Sequence, residues 1–113
     1  MSKRRKRPVT GDDTPPPEMT GIARLLSESP VATLDLHGYT GAEARPRVRD
    51  FLTTRSRISA GGVVHIITGK GTGSSGMPVL PGVVRDMLDD DVAGLVDDYA
   101  GMMGGGGWAV RMR

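Results

Sequence analysis

The chain has no cysteine. Disulfide frameworks, thiolate zinc sites and cysteine nucleophiles are therefore excluded. Histidine is scarce too, present only as His37 and His65, which leaves little from which to build a histidine-rich metal site. No apolar run approaches the roughly 20 residues that a membrane helix needs. The opening MSKRRKRPVTGDD passes into prolines and acids rather than an apolar stretch, so it does not read as a signal peptide. A cytoplasmic protein without membrane contact is expected. Its 113 residues suffice for one domain with a modest core.

The charge is unevenly placed. Residues 1–33 hold six Lys/Arg and four Asp/Glu, and residues 34–113 hold nine of each, so the net +2 sits in the first segment, chiefly in Lys3-Arg4-Arg5-Lys6-Arg7. Clustered cations suit a polyanion such as a nucleic-acid backbone; a solvated terminus accounts for them equally well. With Pro15-Pro16-Pro17 and almost no apolar content, residues 1–19 are expected to form a disordered basic and proline-rich tail. Residues 20–30 read as a short helix or linker with Ile22, Leu25 and Leu26 on one face, too short to stand without packing on the domain. Residues 31–113 are the expected domain.

Within that domain, Val31–His37 reads as a strand in which Leu34 and Leu36 alternate with Asp35 and His37. Thr40-Gly41-Ala42-Glu43 has the form of a capping box and opens a helix to about Arg57, with Ala44, Val48, Phe51, Leu52 and Arg55 in its stripe and a slight bend at Pro46. Val63–Thr68 is a nearly continuous apolar strand, as expected of a buried one. Leu80, Val83, Val84, Met87 and Leu88 have helical spacing. Asp89-Asp90-Asp91 at the end of that helix reads as a solvated turn rather than a metal site. Leu95–Ala100 and Trp108–Arg113 are short strands joined through Gly101–Gly107. The order is β-α-β-α-β-β. Right-handed crossovers make the first strands parallel and the final pair an antiparallel hairpin. The expected fold is a two-layer α/β sandwich with both long helices on one face of a mixed four-stranded sheet.

Between the second strand and second long helix lies Thr68-Gly69-Lys70-Gly71-Thr72-Gly73-Ser74-Ser75-Gly76, a loop composition suited to holding phosphate. It is not a Walker A loop, because Gly71 follows Lys70 where Ser or Thr is needed and Val64 stands where the first glycine belongs. Gly71–Gly76 matches G-x-G-x-x-G, but Met77-Pro78 interrupts the helix that should follow, and the chain is too short for the paired halves of a dinucleotide fold. A parallel sheet would instead bring the ends of its first two strands together, placing Asp35, His37 and Gly38 beside Gly69, Lys70 and Gly71, with the Gly101–Gly107 turn joining them. Asp35 and His37, about 6.6 Å apart along a strand, would share the face away from the helices. A carboxylate can orient an imidazole for acid–base work, and Lys70 with the loop amides of Gly69–Gly73 can hold a phosphate. On the residues alone, Asp35 and His37 could equally satisfy backbone groups at a strand end.

These same residues carry a family resemblance. LDLHG (Leu34–Gly38), the pair Glu43-Ala44, ITGKGTG (Ile67–Gly73) and the closing GGGGWAVRMR resemble the small MutS-related (Smr) domain, whose pattern is L-D-x-H-G, an E-A helix, then [HT]-G-x-G. The resemblance spans about residues 31–113. It implies a fold similar to the C-terminal domain of bacterial translation initiation factor three, with sheet order 1-2-4-3 and strand 4 antiparallel. It also implies an endonuclease, nicking DNA in some members and cleaving RNA in others, including messages on ribosomes. Asp35 and His37 match the positions implicated in cleavage. Thr68, Gly69, Lys70 and Gly71 match the loop thought to hold substrate, which Gly73 and Gly38 would border. Many members have His in place of Thr68, although threonine versions also occur; if that second imidazole serves as acid in the family, this chain lacks it.

The expected function is that of a monomeric endonuclease acting on RNA in preference to DNA. RNA supplies its own 2′-hydroxyl nucleophile, whereas DNA would require an activated water and a divalent metal such as Mg. The alternative is a non-catalytic module in which the basic arm, Arg45, Arg47 and Arg49 hold nucleic acid or a ribosomal surface. A solvated helix face is the simpler account of those three arginines.

Overall fold

A computed structural model describes residues 21–69 and 79–113. The expected tail at 1–19 and the loop residues Lys70, Gly71 and Gly73 lie outside the described residues. The elements follow the expected order, preceded by a short helix: α1 (Gly21–Ser27), β1 (Ala32–Asp35), α2 (Gly41–Ile58), β2 (Val63–Ile67), α3 (Leu80–Asp89), a 3₁₀ turn (Ala93–Leu95), β3 (Val96–Gly101) and β4 (Gly107–Met112). The sheet order is β1-β2-β4-β3, with β1 and β2 parallel and β4 antiparallel to both its neighbours. That is the expected α/β topology.

The capping box forms as the sequence suggests. Thr40 Oγ1 accepts from the Glu43 N–H at 3.1 Å, and Glu43 Oε1 accepts from the Thr40 N–H at 2.9 Å. Two otherwise orphaned donors are thereby satisfied, and α2 runs through Pro46 to Ile58. Its buried residues are Ala44, Val48 and Leu52, at the i, i+4, i+8 spacing of one helix face. They meet Leu80, Val84, Met87 and Leu88 of α3 over Leu36, Val64, Ile66, Val110 and Met112. The two helices approach closely at Gly41, where a Cβ would stand 3.2 Å from Val83 Cγ2. On the same side Trp108 donates its indole N–H to Pro81 O at 3.2 Å and meets Tyr99 edge-on at 5.5 Å. These contacts fix the start of α3 over the hairpin.

The second sheet face is not wholly open. Helix α1 lies on it and packs Leu25 with Val63, Ala100 and Ala109. Ile22, expected on the apolar face of α1, is instead 60% exposed. Just past the helix, Glu28 pairs with Arg111 of β4. The guanidinium holds the Glu28 carboxyl below its ordinary range, and the carboxylate raises Arg111 in return. The Asp89–Asp91 run is also engaged: Tyr99 donates its hydroxyl to Asp89, and Asp91 lies within 3.5 Å of both Arg45 and Arg49.

His65 sits on this second face, paired with Thr33 on one side and Ala109 on the other. Its Nε2 is buried with no hydrogen-bond partner among the described residues. Burial pushes its pKa below the ordinary value of 6.5. A base depressed on folding contributes stability above its unfolded pKa and loses it as pH falls. Wild-type stability in denaturant should therefore decline as pH drops below about 6.5, before the carboxylates of Glu28, Asp35 and Glu43 titrate. His65→Val should remove the difference between pH 7.5 and 5.5; an unchanged difference would assign the loss to other groups.

Candidate functional site

The C-terminal ends of β1 and β2 lie side by side because the strands are parallel and in register, with Asp35 opposite Ile67. β1 is shorter than the expected Val31–His37. Its last ladder bond runs from the Leu36 N–H to Ile67 O at 2.7 Å, after which the chain turns, the Tyr39 N–H donating to Leu36 O at 3.0 Å. Gly38 takes φ +85° in this turn, a conformation that costs a Cβ-bearing residue about 1–2 kcal/mol. Leu36 is buried under the helices, while Asp35 and His37 are exposed.

The turn brings the two polar side chains together. His37 Nδ1 lies 2.7 Å from Asp35 Oδ1, and the His37 backbone N–H donates to the same oxygen at 3.0 Å. A carboxylate can only accept, so Nδ1 carries the proton and Nε2 carries the lone pair in the neutral ring. Hydrogen bonding from the imidazole, then from the backbone amide, holds the Asp35 carboxyl below its usual range. The side chains of His37 and Asp35 are 73% and 54% exposed. Solvent therefore screens their attraction, and the pair serves to orient the ring rather than to stabilise the fold.

The glycine loop starts against this pair. A Cβ on Gly69 would meet His37 Cβ at 3.4 Å, and Gly69 itself has φ +77°. Thr68 is only 5% exposed, and its hydroxyl lies within 3.4 Å of the Gly69 and Gly106 carbonyls. The Thr68 and Gly69 amides both donate to Gly106 O, at 2.9 and 3.1 Å. The Gly101–Gly107 turn therefore does join the site, and its role is to fasten the root of the loop. The Gly69 amide is already spent on this contact, so a phosphate held by amides would rely on those further along. No signal in the sequence singles out Gly106, because a carbonyl has no residue signature.

The arginines of α2 divide. Arg45 and Arg49 turn to Asp91. Arg47 instead donates to Glu43 O and lies over the Tyr39 ring. No helix among the described residues is long and apolar enough to cross a membrane.

Fold and site together define a small α/β domain with an oriented carboxylate–imidazole pair at the edge of a parallel strand pair. The family described as Smr domain matches residues 34–110, and the chain belongs to that family. Its membership ties the protein to nucleic acid. A comparison with curated proteins finds no match.

Proposed function

We propose that the protein is an endonuclease that cleaves RNA by transesterification, with His37 as general base. The observation that carries this reading is the Nδ1 contact to Asp35, which leaves Nε2 as the basic nitrogen on an exposed side chain. In the step proposed, Nε2 takes the proton of a ribose 2′-hydroxyl and the oxygen attacks the adjacent phosphorus. The bond to the 5′-oxygen breaks, and that oxygen takes a proton from solvent. The products are a 2′,3′-cyclic phosphate and a 5′-hydroxyl. Acid–base catalysis of this kind supplies about 10²–10⁴-fold. Lys70, Gly71 and Gly73, next along the chain from the anchored Gly69, are assigned to the phosphate, with Gly38 bordering it and Thr68 supporting the loop from below.

A divalent metal such as Mg would be needed for hydrolysis of DNA. Among the described residues no three His, Asp or Glu side chains converge as ligands, and the transesterification proposed needs only the His37 base and the 2′-hydroxyl of the substrate. A second reading, a non-catalytic module binding nucleic acid or a ribosomal surface, is favoured by one feature. Thr68 stands where many Smr domains have His, and its hydroxyl faces two carbonyls, so this position supplies no acid.

End-labelled RNA and supercoiled plasmid, each with and without EDTA, separate these readings. RNA cutting that persists in EDTA is expected. Plasmid nicking abolished by EDTA would replace this account with a metal-dependent one, and binding without cutting of either substrate would leave the binding module.

A further inference from the structure

Tyr39 directly follows the Asp35–Gly38 motif and precedes the Thr40 cap of α2. It is 39% exposed, although an aromatic just before a helix cap commonly packs down on the first turn. The guanidinium carbon of Arg47 lies 4.2 Å from its ring centroid, well within the range of a cation–π contact. Arg47 is fixed there by donation to Glu43 O at 2.8 Å. Its neighbours Arg45 and Arg49 are paired with Asp91, whereas no carboxylate lies within ion-pair distance of Arg47 among the described residues. One exposed ring thus carries a fixed cation on one face. Its Cα lies no more than about 7 Å from that of His37, two residues back.

We propose that Tyr39 and Arg47 form a stacking subsite for one unpaired nucleobase of the strand whose phosphate lies at Asp35 and His37. Every base has a π-face, and proteins that hold single strands stack bases on aromatic rings and guanidinium planes. The positive charge on Arg47 favours the anionic backbone on either side of that base. A base within a duplex is already stacked and paired and cannot reach the ring. The subsite therefore selects single-stranded segments and fixes one nucleotide next to the attacked phosphate. The inference rests on the proposed function for the position of the strand, while the stacking itself is testable without cleavage.

The test uses the full chain carrying His37→Ala, so that the strand stays intact. It compares a single-stranded 12-nucleotide oligoadenylate containing 2-aminopurine with an abasic strand of the same length. The base-bearing strand is expected to bind roughly tenfold more tightly or better, with a change in 2-aminopurine fluorescence. Adding Tyr39→Ala should remove both the preference and the fluorescence change; Tyr39→Phe should retain both. A purely structural role for Tyr39 would lower the melting temperature without altering the ratio of the two affinities. Equal preference in the Tyr39→Ala protein, or none in its parent, would overturn the stacking subsite and leave the endonuclease reading standing. Failure of both strands to bind would overturn both readings.

Discussion

His37→Ala is expected to slow RNA cleavage by about a thousandfold, the middle of the range for loss of a general base. Because the imidazole is exposed and its only described partner is Asp35, its removal should leave folding and affinity for an uncut strand nearly unchanged. Asp35→Asn is the more informative companion. Asp35 Oδ1 accepts from both the His37 backbone amide and Nδ1, so an asparagine oxygen in its place can keep both bonds and the ring's orientation. What is lost is the negative charge that stabilises the imidazolium formed when Nε2 takes a proton. A loss of roughly tenfold to a hundredfold is expected, smaller than for a buried triad because water can compete for an exposed ring. Single-turnover cleavage rates measure both. Wild-type rates in either variant would remove the pair from the chemistry.

The second large effect falls on stability. A Cβ on Gly107 would stand 2.5 Å from Ile66 O and 3.1 Å from Ile67 Cα. Both are backbone atoms of β2, so no side-chain rotation relieves the clash. Gly107→Ala must push β4 from β2 at the Ile67–Gly107 pair, at a cost of about 2 kcal/mol for such overpacking. In a domain this small that lowers the melting temperature by on the order of 10 °C. The neighbouring carbonyl of Gly106 holds Thr68 and Gly69, so the site should loosen along with the sheet. Gly106→Ala is the control, since a Cβ there meets nothing within 4 Å and should cost far less. Equal melting temperatures for Gly107→Ala and wild type would show that the strands can separate freely at this point.

Much of this arrangement is legible in the sequence because it is local. Thr40 and Glu43 are three residues apart and cap each other whatever surrounds them. The periodicity of α2, the apolar run of β2 and the break at Gly101–Gly107 each arise within one segment. The parallel pairing that sets Asp35 beside the loop follows from crossover handedness. Less legible were the features made by distant partners. Seven-residue α1 has too little pattern to reveal which sheet face it covers, and the Glu28–Arg111 pair spans most of the chain. Arg45, Arg47 and Arg49 look equivalent on a helical face, yet Asp91 and Tyr39 give them different roles. His37 lies beyond its strand, and a turn at Gly38, rather than strand alternation, sets its distance from Asp35.

In the proposed mechanism the substrate supplies the nucleophile and His37 activates it. The most direct test is single-turnover cleavage of an RNA with one 2′-deoxy nucleotide immediately 5′ to the cut phosphate. No cleavage is expected at that phosphate, with unchanged cleavage elsewhere and 2′,3′-cyclic phosphate ends on the unmodified strand. Cutting at the deoxy position at the normal rate would mean that water is the nucleophile, and the transesterification mechanism would be wrong.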